Sequence, residues 1–137
     1  MNVQPYLCYE GRCEEALEFY KEKLGATVEM MMRFKESPDP SHNPPGSDEK
    51  VMHVSFKVGE TRLMASDGHC TGKPEFKGIS LSLSVDDVDD AKKYFDALSD
   101  GGRIEMPLTE TFFSPSFGMV EDKFGVMWMV LAYSETM

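Results

Sequence analysis

The sequence predicts an α+β fold made of two tandem β-α-β-β-β modules, and two observations carry that expectation. Apolar residues recur at helical spacing twice, over Cys13 to Leu24 and over Val88 to Leu98, and the two segments superimpose at a shift of 75 positions that takes Ala16 to Ala91, Phe19 to Tyr94 and Tyr20 to Phe95. The correspondence continues past the helices, because Val28-Glu29-Met30 matches Ile104-Glu105-Met106 at a shift of 76. Module one is placed at about 1–67, a linker at about 68–77 and module two at about 78–134, all in a single domain over 1–137.

Each element has its own signal. The first strand is expected over Val3 to Tyr9, followed by a helix with Cys13, Ala16, Leu17, Tyr20 and Leu24 on one face and Gly25 as its stop. A strand opens at Val28, and His53 to Val58 turns at Gly59-Glu60 into Thr61 to Ser66 as a hairpin. In module two, Ile79, Leu81, Leu83 and Val85 alternate with serines as a strand should. The second helix carries Val88, Ala91, Tyr94, Phe95 and Leu98 on one face, with Asp86 or Asp87 as N-cap. A strand from Ile104 and a hairpin, Gly118 to Phe124 turning near Gly125 into Met127 to Ala132, complete the copy. Two half-open, curved mixed sheets facing each other would form a cleft. The segment Glu36 to Lys50 holds turn chemistry without periodicity and reads as a mobile loop, either a lid over that cleft or a surface insertion, with His42 solvated in it.

Charge narrows the partners. With 24 acidic against 14 basic residues, the formal net charge of -10 at pH 7 argues against nucleic acid and anionic membrane surfaces. No stretch approaches the roughly 20 apolar residues of a membrane helix, and no basic region leads into a long apolar run, so the expected compartment is the cytoplasm. Three cysteines, Cys8, Cys13 and Cys70, without a C-x-x-C repeat fit a reducing environment as structural or incidental thiols. A small organic molecule and a second copy of the chain are the expected partners.

Several residues are candidates for chemistry. His53, Asp67, His69 and Cys70 fall within one hairpin and its exit, and the hairpin register would pair His53 with Ser66 and bring Asp67 close. That grouping suggests a proton-transfer pair or an unusual metal site, or else a histidine tied to a carboxylate for structure. Glu105 and Glu110 could act as an acid and base pair in a cleft, or lie on the surface. Phe112, Phe113 and Trp128 are candidate ligand-binding aromatics that could equally fill the core. The 11 methionines, among them Met30, Met31, Met32, Met127 and Met129, suit a permissive pocket, a dimer seam or core filling.

The run Pro5-Tyr6-Leu7 with Glu15-Ala16-Leu17-Glu18-Phe19-Tyr20 and Leu24-Gly25-Ala26 resembles the opening of PhnB-like proteins of the vicinal oxygen chelate superfamily. Met64-Ala65-Ser66-Asp67 resembles that family's first-module ending. Ile104-Glu105-Met106-Pro107, Glu110-Thr111-Phe112-Phe113, Phe117-Gly118 and Asp122-Lys123-Phe124-Gly125-Val126 with Trp128-Met129 resemble its C-terminal signature. The resemblance spans nearly the whole chain. It implies the glyoxalase, bleomycin-resistance and extradiol-dioxygenase fold, a homodimer, and a branch described as demethylubiquinone-methyltransferase-like. No glycine-rich nucleotide loop that would seat a methyl donor is present.

Catalytic members of that superfamily hold a divalent metal through His and Glu side chains near the start and on the last strand of each module. Carried onto this chain, those positions fall at Pro5, Leu63, Ser80 and Met129, none of which is a usual donor. The expectation is a metal-independent, cleft-binding protein with no cofactor. The alternative is a lyase, isomerase or dioxygenase that relocates the metal or uses His53, Asp67, Glu105 and Glu110 for acid–base chemistry.

Overall fold

Strand β1 (Tyr6–Cys8), helix α1 (Cys13–Leu24), and strands β2 (Thr27–Arg33), β3 (Val51–Val58) and β4 (Thr61–Ser66) come first along the chain. Strand β5 (Leu81–Val85), helix α2 (Val88–Ser99), and strands β6 (Arg103–Thr109), β7 (Phe117–Glu121) and β8 (Met127–Ala132) repeat that order. The computed structural model describes residues 1–68 and 74–133, with backbone alone for residue 42. The expected metal or acid–base candidates His69 and Cys70, and the side chain of His42, lie outside the described residues.

The chain divides into two units, 1–74 and 75–137, each with one four-stranded mixed sheet and one helix. The sheet orders are β1-β4-β3-β2 and β5-β8-β7-β6, and in both the first strand runs parallel to the last while the remaining pairs are antiparallel.

Helix α1 forms where the apolar spacing places it, and Cys13, Ala16, Leu17, Tyr20 and Leu24 are all buried, with Phe19 as well. Its stop is Gly25 at φ 69°, a left-handed conformation that a Cβ would strain, and the Gly25 N–H reaches the Lys21 carbonyl at 3.1 Å. The Tyr20 ring stacks on Phe56 of β3 with centroids 6.1 Å apart. Burying one such side chain contributes roughly 1.5–3 kcal/mol. The hydrophobic face of the first sheet reads across the strands as Leu7, Ala65, Val54 and Met31.

In the second unit Asp87 is the N-cap, its carboxylate accepting the Asp90 N–H at 2.8 Å. Ala91, Phe95 and Leu98 are buried as expected, but Val88, the first helical residue, is 47% exposed. Helix α2 lies across Val120, Trp128 and Val130, and it comes so close that a Cβ on Gly118 would meet the Phe95 ring at 2.8 Å.

Several boundaries differ from the sequence expectation. Val3 is 93% exposed and Ile79 63%, so β1 and β5 begin later, at the first residues held in a parallel ladder. Strand β3 starts earlier, at Val51, because Val51 pairs with Arg33. Strand β7 ends at Glu121 instead of Phe124, since the Asp122 carboxylate accepts the N–H groups of Phe124 and Val126 and bends the chain into a turn. The segment Glu36 to Lys50, expected as a mobile loop, leaves the end of one 3-10 turn, Phe34–Glu36, and contains a second at Pro40–His42. Its base is tied by Phe34 N–H to Lys50 O and Lys35 N–H to Asp48 O, and Asn43 donates to Phe34 O at 2.8 Å.

Candidate functional site

Because strand side chains alternate, each sheet has one face under its helix and one open face. On the first sheet the open row across the strands is Tyr6, Met64, Ser55 and Met30, with Cys8 beside Ser66, and Met32 beside His53. On the second sheet the matching row is Ser82, Met129, Met119 and Met106, and the next is Ser84, Leu131, Phe117 and Thr109. Thioethers and hydroxyls dominate both rows. Methionine thioethers are soft and adaptable, so such rows accept irregular apolar shapes.

His53 lies on the open face of β3, and its Nδ1 is 2.9 Å from the Tyr6 hydroxyl, with ring centroids 5.6 Å apart. The β3–β4 register follows the Gly59-Glu60 turn, with Val58 opposite Thr61 and Val54 opposite Ala65. The step from that register to a His53–Asp67 pair does not hold, because the Asp67 carboxylate is engaged elsewhere. Its Oδ1 accepts the N–H groups of Gly11 at 2.7 Å and Cys13 at 2.9 Å, and its Oδ2 accepts Val51 N–H at 3.1 Å. Helix α1 has no side-chain cap from its own N-cap residue, so a carboxylate more than 50 positions downstream satisfies the Cys13 N–H.

Glu105 is held by Arg103, which also reaches Glu121 at 3.3 Å. Glu110 follows β6 and is exposed. Phe112 is 95% exposed and meets Phe113 edge to face, and Phe113 packs in the same way on Phe117 of the open face. Trp128 is on the helix face, 3% exposed, and its indole N–H donates to Asp122 Oδ2 at 2.9 Å. The residues that sequence reasoning missed are Tyr6 and Asp122. Tyr6 belongs to the Pro5-Tyr6-Leu7 run, and its alternation with Leu7 is the sequence signal for an open-face position.

Glu29 and Glu105, related by the 76-residue shift, both sit at register shifts in their edge strands. Glu29 is clasped by Arg62, with Nε at 2.7 Å from Oε1 and Nη2 at 3.2 Å from Oε2. The hydrogen bond from Arg62 holds the Glu29 carboxyl below its ordinary value of 4.5, and the same bond raises Arg62. An unfolded Glu29 binds protons at higher pH than the folded one, so the pair stabilises the fold above 4.5 and the contribution is lost as pH falls through the lowered folded-state value. Wild type is therefore expected to be more stable than Glu29→Gln by denaturant titration at neutral pH. The gap should close in acid well below 4.5 and narrow with added salt. A gap that persists unchanged in acid would show that the pair's charge is irrelevant.

Among the described residues, no three His, Cys, Asp or Glu side chains converge as a metal-holding group. The expected ligand positions also shift by strand geometry. Leu63 is on the helix face and 4% exposed, and the structural partner of Met129 is Met64. The reason is the turns: Val58 and Thr61 close a two-residue turn, whereas Glu121 and Met127 enclose five residues, so counting from the turn glycines misses by one. Likewise Tyr6 and Ser82, beside Met64 and Met129, replace Pro5 and Ser80. On the first sheet these open-face positions carry Tyr6 and Met64, and on the second Ser82 and Met129; none of the four side chains is an imidazole or a carboxylate.

Two four-stranded mixed sheets, each with one helix and the same strand order, define an α+β protein of the glyoxalase and bleomycin-resistance type. The fold recurs in a glyoxalase-related enzyme from Fulvimarina pelagi (16% identity, TM-score 0.64) and in the fosfomycin resistance protein FosX from Mesorhizobium loti (11%, TM-score 0.65). A family model described as 3-demethylubiquinone-9 3-methyltransferase matches residues 1–131, and the chain belongs to that family. Protein YjdN of Escherichia coli strain K12 is 36% identical over 138 aligned residues, covering 95% of this chain and 94% of that one. Protein PA1353 from Pseudomonas aeruginosa is 42% identical with a TM-score of 0.86, covering 97% and 98% of the two chains. A PhnB protein from Bacillus cereus is 26% identical with a TM-score of 0.80, covering 96% and 99%.

Proposed function

We propose that this PhnB-like protein binds a small, partly apolar organic molecule against the open faces of its sheets, without the divalent metal of its catalytic relatives. The observation that carries this reading holds in each sheet by itself: the open-face positions have Tyr6 and Met64 in the first and Ser82 and Met129 in the second, where the superfamily's chemistry needs imidazole and carboxylate. Thioether-rich rows favour a ligand with an apolar body, and Phe113 and Phe117 extend that surface on the second sheet. The methyl transfer named in the family's description would need a seat for a methyl donor, and no glycine-rich nucleotide loop occurs in the chain. The protein acts as a homodimer in the cytoplasm on this reading. Three cysteines without a C-x-x-C repeat suit a reducing compartment, and no described helix is long and apolar enough to cross a membrane.

A second reading, a lyase or isomerase working by acid–base chemistry, is favoured by the His53 to Tyr6 hydrogen bond on an open face. Metal analysis and native mass spectrometry on protein purified without an affinity tag test the metal-free reading, and recovery of a retained ligand unchanged, instead of as a reaction product, separates binding from acid–base catalysis. The expected result is metal well below one ion per chain after dialysis, in a dimer able to retain an organic ligand. Stoichiometric metal that survives dialysis, with an activity lost on chelation, would overturn the metal-free reading.

A further inference from the structure

We infer that Tyr6 and His53 form the polar anchor of the ligand site, and that the molecule bound there carries a hydrogen-bond acceptor oxygen of the carbonyl class. The inference rests on the proposal that the open face of the first sheet receives a partly apolar ligand. The Tyr6 hydroxyl and His53 Nδ1 are 2.9 Å apart. A phenol O–H is the stronger acid of the two available donors, and an imidazole nitrogen the stronger base of the two acceptors. Tyr6 therefore donates to Nδ1, and this fixes the tautomer with the proton on Nε2.

That Nε2–H has no hydrogen-bond partner among the described residues. Its cross-strand neighbour on β2 is Met32, and Met64 lies opposite Tyr6 on β4; both are thioethers, which are weak acceptors. An occupant that covered this surface with hydrocarbon alone would bury the Nε2–H without a partner, at the full cost of its desolvation. A ligand with a carbonyl oxygen over Nε2 and an apolar body over Met32 and Met64 satisfies both. Asp67 has no part in this, because its oxygens are engaged by backbone N–H groups. Tyr6 acts as a positioning residue and His53 touches the ligand.

The test compares two probes of nearly the same shape, acetophenone and α-methylstyrene, which differ by an oxygen in place of a methylene. Binding to the full-length protein is followed by titration, and the His53 ring nitrogens by nitrogen-15 NMR, assigned with His53→Gln. Acetophenone is expected to bind about tenfold tighter or more and to shift the Nε2 signal, and His53→Phe should erase the preference. Tyr6→Phe should reduce the preference for acetophenone and convert the free-protein spectrum from one tautomer to a mixture, which a merely structural tyrosine would not do. Equal binding of the two probes by wild type overturns the anchor while leaving the apolar face as a binding surface. Failure of both to saturate overturns the anchor and the binding proposal together. A spectrum of wild type with the proton on Nδ1 overturns the assigned roles directly, and the comparison of the two probes on wild type depends on no variant that folds.

Discussion

Asp67→Ala is expected to destabilise the protein by about 3–5 kcal/mol, a large part of the roughly 5–15 kcal/mol that holds a domain of this size together. Three backbone donors lose their acceptor at once: Gly11 and Cys13 at the start of α1, and Val51 at the start of β3. Hydrogen bonds to a charged group are each worth about 1.5–3 kcal/mol, and the stranded N–H groups of Cys13 and Val51 would be buried. Asp67→Asn keeps one acceptor oxygen but turns an amide N–H₂ toward at least one donor, so it should fall between wild type and alanine. Urea unfolding followed by circular dichroism measures both. An alanine variant within about 1 kcal/mol of wild type would mean that the three donors find other acceptors. The result also guards against misreading: loss of ligand binding in an Asp67 variant should track the unfolded fraction, since the carboxylate serves the backbone.

Asp122→Ala should cost about 3–4 kcal/mol by a parallel route in the second unit. It removes the acceptor of the Phe124 and Val126 N–H groups and strands the buried indole N–H of Trp128. Trp128→Phe leaves the two backbone bonds and removes the donor together with its need, so it should cost less, about 1–2 kcal/mol. The double variant should be more stable than the sum of the two single losses predicts, by about 1 kcal/mol, because the stranded indole is gone. Strict additivity would show that the indole bond contributes nothing. As the chain's single tryptophan, Trp128 also reports unfolding by fluorescence in every variant that retains it.

What the sequence made legible was whatever depends on periodicity and local chemistry. Helix α1 and its Gly25 stop, the Asp87 cap and the Val58 to Thr61 turn all follow from neighbours a few positions apart. The 76-residue match of Glu29 with Glu105, legible as two related strand starts, coincides in the structure with two equivalent register shifts. The roles of side chains were harder to read where they depend on pairings between distant segments. Asp67 looked like a partner for His53 because register brings the strands together, but its carboxylate turns to the N-terminus of α1, 54 positions away from it at Cys13. Leu63 and Met64 exchanged faces in the reading because the two modules close their last hairpins with turns of different length, and a slip of one residue inverts a strand. Trp128, a candidate for ligand contact, follows the same rule of alternation and belongs to the core.

The parallel pairing of β1 with β4 sets an order of events during synthesis. Tyr6 meets Met64 across 58 positions of chain, so the first sheet cannot close until the ribosome has released β4. Every strand it needs has then emerged, since its order draws on residues no later than Ser66. At a synthesis rate of about 5–20 residues per second, the stretch from Asp67 to Ala132 takes several seconds or more, longer than many small mixed folds need to form. The first sheet can thus be completed as a nascent structure while the second is still a chain in the exit tunnel. The second sheet obeys the same rule further along the chain: β5 waits for β8, so it closes only after Met127 to Ala132 have emerged.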